Sequence, residues 1–519
     1  MSERRQAVID LGSNSFRLVV FTWSGEGRGA WWKRTDEIHE AVRIGEGLDA
    51  SGELGAEPME RALQMLELYA HFCRATGITD VRAVATSAIR DADNRRAFLD
   101  AAGRRTWLEI EVLAREQEAR YGYLAAVNST TLADGVALDI GGGSLQLSRV
   151  RSRTATDMKS WRLGAVRMTE RFLDGKKTQP KQVKALRAHV EKKVLSRAEW
   201  LQGAGAHGGR LVGVGGAVRN LAAAAQAEAG MPNIGVQGTC VSRKQLGELI
   251  DRMLDVSAAD RGAITGVKPG RADVILAAAV VIDTVLDVGD FTALEATEAG
   301  LREGVFFETL LAGTDPPLFD DVRRASVLNL AAQYHPEFAH TEHVAEIALE
   351  MWDALGAAGR HPCDQAEREL LWAAAMLHDI GTAVDYDDHH KHSRYLILSA
   401  GLPGFSPREV ALIAQLARYH RKGTPSLGDY APLMVKGDDE LLHRGSALLR
   451  LTEQLERARD QAVHEAVLTI SDGHADLRLD GEEDSSSPGG SLALPRWMAE
   501  RETDLFERAF GIGLRLVRT

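Results

Sequence analysis

The sequence predicts an α/β protein built by duplication, followed by a helical domain and a small α+β tail. Three observations carry that reading. Two apolar runs, AVIDLGSNSFRLVVF (7–21) and VALDIGGGSLQLSRV (136–150), each end in an aspartate, turn on small residues and re-enter an alternating apolar run. Strand-like and helix-like segments then alternate after each run, as expected of two α/β halves that face each other across a cleft. Beyond residue 321 apolar residues recur at helical spacing, as in TEHVAEIALEMWDAL, ERELLWAAAMLHDIG and VALIAQLARYH.

The first half opens with the 7–21 hairpin. Apolar periodicity then predicts a helix over 57–76, a strand over 81–85, a helix over 94–102, a strand over 108–113 and a helix over 116–126. The second half repeats the plan from 135, through a helix beginning at Pro180, a strand over 210–214 and the turn GVGGAVRNLAA (213–223). A long apolar helix over 272–286 and a helix over 301–311 close it. Its apolar run 274–282 lies between Asp273 and Asp283 and is too short to span a bilayer, so it reads as buried. AGTDPPLFDD (312–321), with its proline pair, reads as a linker. The helical pattern runs to about 459; strands follow over 466–470, 475–479 and 511–517, with GEEDSSSPGGS (481–491) a flexible loop. The expected domains are 1–126, 127–312, 313–460 and 461–519.

Composition narrows the class. With 519 residues, 45% hydrophobic and 26% charged, the chain is an ordinary globular protein of several domains. Cys73, Cys240 and Cys363 lie far apart, which fits a reducing cytoplasm and argues against a disulfide scaffold or zinc ribbon. No signal peptide or membrane anchor is expected. The net charge of −12 disfavours nonspecific nucleic-acid binding. A polyanion then needs a local basic track, for which Lys176, Lys177, Lys181, Lys184, Arg187, Lys192, Lys193 and Arg197 are candidates. The alternative is a solvated helix face.

The two turns suggest phosphate chemistry. Backbone free of side chains over two or three residues aims several N–H groups at one anion. Gly12, Ser13, Asn14 and Ser15 add hydroxyl and amide donors; Gly141, Gly142, Gly143 and Ser144 offer nearly bare backbone. Asp10 and Asp139, leading the turns, are the type of ligand that holds Mg²⁺, with Mn²⁺ the alternative. Glu118, in AREQEARYGYLAAV, reads alone as a helix surface residue; beside such turns it is a carboxylate that orients a water and takes its proton.

Six motifs in order, VIDLGSNSFRL, VATSAIRDADN, REQEARYGYL, LDIGGGSLQL, VGVGGAVRNLA and GLREGVFFE, resemble the exopolyphosphatase / guanosine pentaphosphate phosphohydrolase (Ppx/GppA) family, in its long form. The resemblance implies a duplicated actin-like, sugar-kinase-like (ribonuclease H-like) ATPase fold. It also implies removal of terminal phosphate from inorganic polyphosphate, or of the 5′ γ-phosphate from pppGpp, with Mg²⁺, in a homodimer. Glu118 matches the family's catalytic base, Asp10 and Asp139 the aspartates before the phosphate loops, Arg90 a position facing the phosphates, and Gly215 and Gly216 a flanking turn. The chain departs from the family at GGGSLQ, where GGGSTE is usual. Gln146 can hydrogen-bond but cannot accept a proton at neutral pH.

In the helical region, His340, His378, Asp379 and Glu453 resemble the H…HD…D metal pattern of HD-domain phosphohydrolases, with Glu453 in place of the last Asp. A second metal in an HD-like domain is implied, and further histidines lie in DYDDHHKHSRYLI and ARYHRKG. A non-catalytic polyphosphate or (p)ppGpp sensor and a nucleotide phosphohydrolase acting at the HD site are the rival functions.

Overall fold

The computed structural model describes residues 3–25, 29–173, 177–206, 208–334, 337–471, 473–481 and 492–517. The chain divides near Arg323 into two compact units.

The first unit holds two sheets of matching plan. One contains β1 (Arg4–Leu11), β2 (Phe16–Ser24), β3 (Trp31–Glu40), β4 (Asp80–Ala85) and β5 (Ile110–Val112), in the order β3-β2-β1-β4-β5. The other contains β6 (Gly135–Ile140), β7 (Leu145–Arg151), β8 (Thr154–Trp161), β9 (Arg210–Val214), β10 (Cys240–Ser242) and β11 (Ala293–Ala296), in the order β10-β11-β9-β6-β7-β8. In each, an antiparallel hairpin places its first strand beside a parallel neighbour, β4 for β1 and β9 for β6. The hairpin registers also match: Asp10 lies opposite Arg17, and Asp139 opposite Gln146. The duplication therefore extends to the residue.

Both faces of each sheet are covered, so the period-2 alternation sorts side chains between two apolar layers. On β1, Ala7, Ile9 and Leu11 join the outer layer formed with the helices Ala56–Ala75 and Arg95–Arg105, while Val8 faces the other way. On β6, Val136, Leu138 and Ile140 face outward and Ala137 inward. The inward layer is shared by the two sheets and filled by the helices Arg115–Ser129 and Leu301–Leu310, through residues such as Leu124, Val127, Val305 and Phe306. Asp10 and Asp139, two residues beyond Val8 and Ala137, share their inward parity. The helix Ile275–Gly289 lies in the outer layer of the second sheet and is buried along most of its length, as the sequence indicates.

The strands the sequence did not reveal are mainly edges. β3 is largely exposed and β8 half-exposed, so neither needs a long apolar run; β10 has three residues. The 312–321 stretch is irregular but tied down: Asn128 Nδ2 donates to Pro317 O, the Phe319 amide donates to Asn128 Oδ1, and Phe307 packs on Phe319.

The second unit contains the helices Phe338–Ala357, Gln365–Leu377, His389–Ala400, Pro407–Tyr419 and Asp438–Leu455. It continues into a three-stranded sheet of β12 (Val463–Ser471), β13 (His474–Gly481) and β14 (Gly513–Val517), with the helices Ala493–Ala499 and Thr503–Phe510 between the last two. One core joins helices and tail, from Val344 and Leu371 through Leu451 to Leu477 and Phe506. The expected loop over 482–491 and Lys176 of the basic track lie outside the described residues. Among the described residues, no helix is long and apolar enough to cross a membrane.

Candidate active site between the glycine turns

Both turns close on four residues between paired strand ends, and the backbone of the second is fixed from two sides. The Gly141 amide donates to Ser144 O, while Gly141 O and Gly142 O accept from the amides of Ala165 and Val166 at a helix start. The two turns touch. Gly143 packs against both serine hydroxyls, where a Cβ would lie 2.4 Å from Ser87 Oγ and 2.9 Å from Ser13 Oγ. A solvent-open cavity of about 760 Å³ is lined by Gly12, Ser13, Asn14, Ser15, Gly141, Gly142, Ser144, Gly215 and Gly216, together with Asp10, Asp139, Glu118 and Gln146. Gly143 and Arg90 are not part of that lining.

Glu118 stands in the first turn of the helix Arg115–Ser129, sunk in the shared inner layer, and is 5% exposed. Arg90 Nη1 donates to its Oε2 at 2.6 Å, and Ser144 Oγ donates to its Oε1 at 2.9 Å. Arg90 thus holds the carboxylate instead of facing the cavity as the resemblance implied; its other bond is to Leu113 O. Burial raises the Glu118 pKa above the ordinary glutamate range, against the pull of Arg90 and Ser144. Gln146 Nε2 donates to Ser144 Oγ at 2.9 Å and approaches Ser160 Oγ at 3.4 Å. A directed chain results: the Gln146 amide occupies a Ser144 lone pair, and the Ser144 proton points to Glu118.

Asp10 and Asp139 are not equivalent. Arg302 Nη1 donates to Asp10 Oδ2 at 3.1 Å. Burial still raises the Asp10 pKa, with Arg302 and Arg17 opposing it. Among the described residues no cation is hydrogen-bonded to Asp139, and burial followed by the charges of Glu118 and Asp10 pushes it up to about 7 against Arg219 and Arg302. Across the cavity stand Arg17, Arg219, Arg271 and Arg302. Arg219 donates to Glu298 O at 2.8 Å, and its pKa is lowered to about 10 by burial and by Arg302. The Arg271 guanidinium packs directly on Gly216, where a Cβ would lie 2.3 Å from Nη2.

None of those four arginines stood out in the sequence. Arg219 and Arg302 lie inside the motifs VGVGGAVRNLA and GLREGVFFE, and Arg17 faces Asp10 across its hairpin, so signals existed for three; Arg271 carried none. The described residues of the basic track do not line the cavity. Lys181, Lys184 and Lys192 are exposed on the helix Pro180–Leu195, and Arg187 pairs with Asp283.

In the second unit, His340, His378, Asp379 and Glu453 do meet, all buried. Glu453 Oε2 lies 3.1 Å from His340 Nε2 and 3.2 Å from His378 Nε2. Burial lowers the His378 pKa, but Asp379 and Glu453 outweigh it and hold it at about 9. His389 and His420, from the further histidines of DYDDHHKHSRYLI and ARYHRKG, join Asp379 on its other side.

Comparison with known proteins agrees with this architecture. The chain is similar to a guanosine-5'-triphosphate,3'-diphosphate pyrophosphatase of Vibrio vulnificus, 26% identical over 502 residues that cover 96% of each protein. Among solved structures it is similar to the Ppx/GppA family member of Aquifex aeolicus, at 27% identity and TM-score 0.51, covering 60% of this chain and 99% of that one. An exopolyphosphatase from Cytophaga hutchinsonii shares the fold at 22% identity and TM-score 0.53, covering 59% and 98%. Residues 322–487 match Ppx/GppA phosphatase, domain III. With residues 33–312 matching the phosphatase family itself, the first unit has that family's actin-like, sugar-kinase-like fold, and the chain belongs to the Ppx/GppA phosphatase family.

Proposed function

We propose that this hydrolase releases terminal orthophosphate from inorganic polyphosphate and also removes the 5′ γ-phosphate of pppGpp. The observation that carries this reading is the meeting of both turns, three carboxylates and four arginines around one cavity. In this reading the turn amides bind the terminal phosphate, and Arg17, Arg219, Arg271 and Arg302 hold the phosphates behind it. Glu118 orients a water and takes its proton as the water oxygen bonds to phosphorus; the bridging P–O bond breaks and the shortened chain leaves. A base raised by burial but restrained by Arg90 and Ser144 is suited to that proton transfer near neutral pH.

The residues fit a divalent cation. Asp139 is half-buried beside Glu118 and Asp10, and among the described residues no arginine is hydrogen-bonded to it; burial and then those two charges raise its pKa against the weaker pull of Arg219 and Arg302. Asp139, with the Asp10 oxygen that Arg302 leaves free, would hold Mg²⁺ or Mn²⁺. The ion, when bound, neutralises phosphate oxygens.

The test is phosphate release from long-chain polyphosphate and from pppGpp, side by side, by wild type and Glu118→Ala. Release by wild type alone supports the proposal. Equal release by both removes Glu118 as the base. Tight polyphosphate binding without release in Mg²⁺ or Mn²⁺ selects a non-catalytic binder.

A further inference from the structure

One carboxylate outside the cavity is gripped from both halves of the first unit. Asp91 ends the five-residue helix Ser87–Asp91, and its side chain is 6% exposed. Its Oδ1 accepts from Arg115 Nη2 at 3.2 Å, and Arg115 is the first residue of the helix that carries Glu118. Its Oδ2 faces the second half, 2.9 Å from Arg162 Nε and 3.4 Å from Arg167 Nη2. Each oxygen therefore serves one half.

These contacts lead to the two parts that have to meet for hydrolysis. On the first-half side, the neighbouring Arg90 donates to Glu118 Oε2 at 2.6 Å, with its Nε 3.8 Å from Asp91 Oδ1. Arg95 Nη1 donates to Arg90 O at 2.9 Å and steadies the same helix end. On the second-half side, Arg167 lies in the helix Ala165–Phe172, whose first amides donate to Gly141 O and Gly142 O of the second turn. Arg167 is buried and also donates to Asp49 Oδ1 at 2.6 Å. A closed path results: from the second turn through Arg167, Asp91 and Arg115 to Glu118, and back to the turn through Ser144 Oγ.

A base has to stand in register with the phosphate it serves, and a misplacement of about 1 Å can cost roughly 100-fold in rate. Here the base belongs to one half and the second turn to the other, so neither half alone fixes their register. We propose that Asp91 is a positioning residue for phosphate release: by tying both halves to one carboxylate it sets Glu118 against the second glycine turn, without touching substrate. The proposal rests on Glu118 as the base. Without Asp91, the partly exposed Arg115 and Arg162 can turn to water and Arg167 keeps Asp49, so the fold should tolerate the change.

The test is steady-state phosphate release from long-chain polyphosphate by wild type, Asp91→Ala, Glu118→Gln and the double variant. Asp91→Ala should lower kcat roughly 10- to 100-fold, with KM changed by less than about threefold. In the Glu118→Gln background the same change should lower the residual rate by less than about twofold, because the base it places is gone. A role confined to holding the fold multiplies the two losses and overturns the proposal, as does an Asp91→Ala kcat within about twofold of wild type. Arg162→Gln, at an exposed site, should show the same non-additive pattern with a loss of roughly 3- to 10-fold, and decides the matter if Asp91→Ala fails to fold. A crystal structure of Asp91→Ala should show Glu118 out of hydrogen-bond reach of Arg90 Nη1 or of Ser144 Oγ. Both bonds retained overturns the proposal even if wild type releases no phosphate, a result that would instead remove the phosphatase reading.

Discussion

Gln146→Glu tests the wiring of the candidate active site. Gln146 donates to Ser144 Oγ, so the Ser144 proton is committed to Glu118 Oε1 at 2.9 Å. A carboxylate at 146 accepts instead, so the hydroxyl turns toward it and Glu118 loses a charge-assisted bond worth about 1.5–3 kcal/mol. That bond lowers the Glu118 pKa, and its loss raises it. The new negative charge pushes the same way. Because the base works deprotonated, the acid limb of kcat/KM for phosphate release should move to higher pH by roughly 1 to 2 units, with the alkaline plateau little changed. Gln146→Ala removes the amide without adding charge and leaves Ser144 free to donate to Glu118, so its limb should stay near wild type. An unmoved limb in Gln146→Glu, or an equal shift in Gln146→Ala, would falsify the directed chain.

Three further outcomes are expected. Glu118→Gln should lower the rate of phosphate release by roughly 10²- to 10⁴-fold; a loss below tenfold argues against a base at 118. Gly304→Ala would bring a Cβ to 2.0 Å from Tyr121 O, where the two inner helices meet, and should cost about 1–3 kcal/mol in denaturant unfolding; an unchanged midpoint contradicts the close approach. His378, held at about 9 against an ordinary 6.5, contributes stability that is full below pH 6.5 and lost as pH rises through about 9. Chelator-treated protein should therefore unfold more readily above that value, by at most about 3 kcal/mol from this group, and a flat profile there would remove the His378 imidazolium.

The sequence by itself determined the local plan. The two aspartate-led turns, the alternating segments after each and the helical run beyond 321 follow from periodicity and turn chemistry, which act over a few residues. Ala56–Ala75, Arg210–Val214 and Leu301–Leu310 lie within a residue or so of where apolar spacing puts them. The inward parity of Asp10 and Asp139 was also readable, because a strand alternates. Tertiary structure decided what meets across long separations. β3 and β8 were hidden because edge strands lack the apolar signature that burial imposes. Arg90 came to rest on Glu118, 28 residues away, and not against the cavity, because a buried carboxylate needs a cation more than the rim does. Arg302 reached Asp10 over 292 residues, and Asp379 joined His420 from a separate helix end. Such pairings depend on which charges share a low-dielectric interior, a property of the folded arrangement that local sequence does not carry.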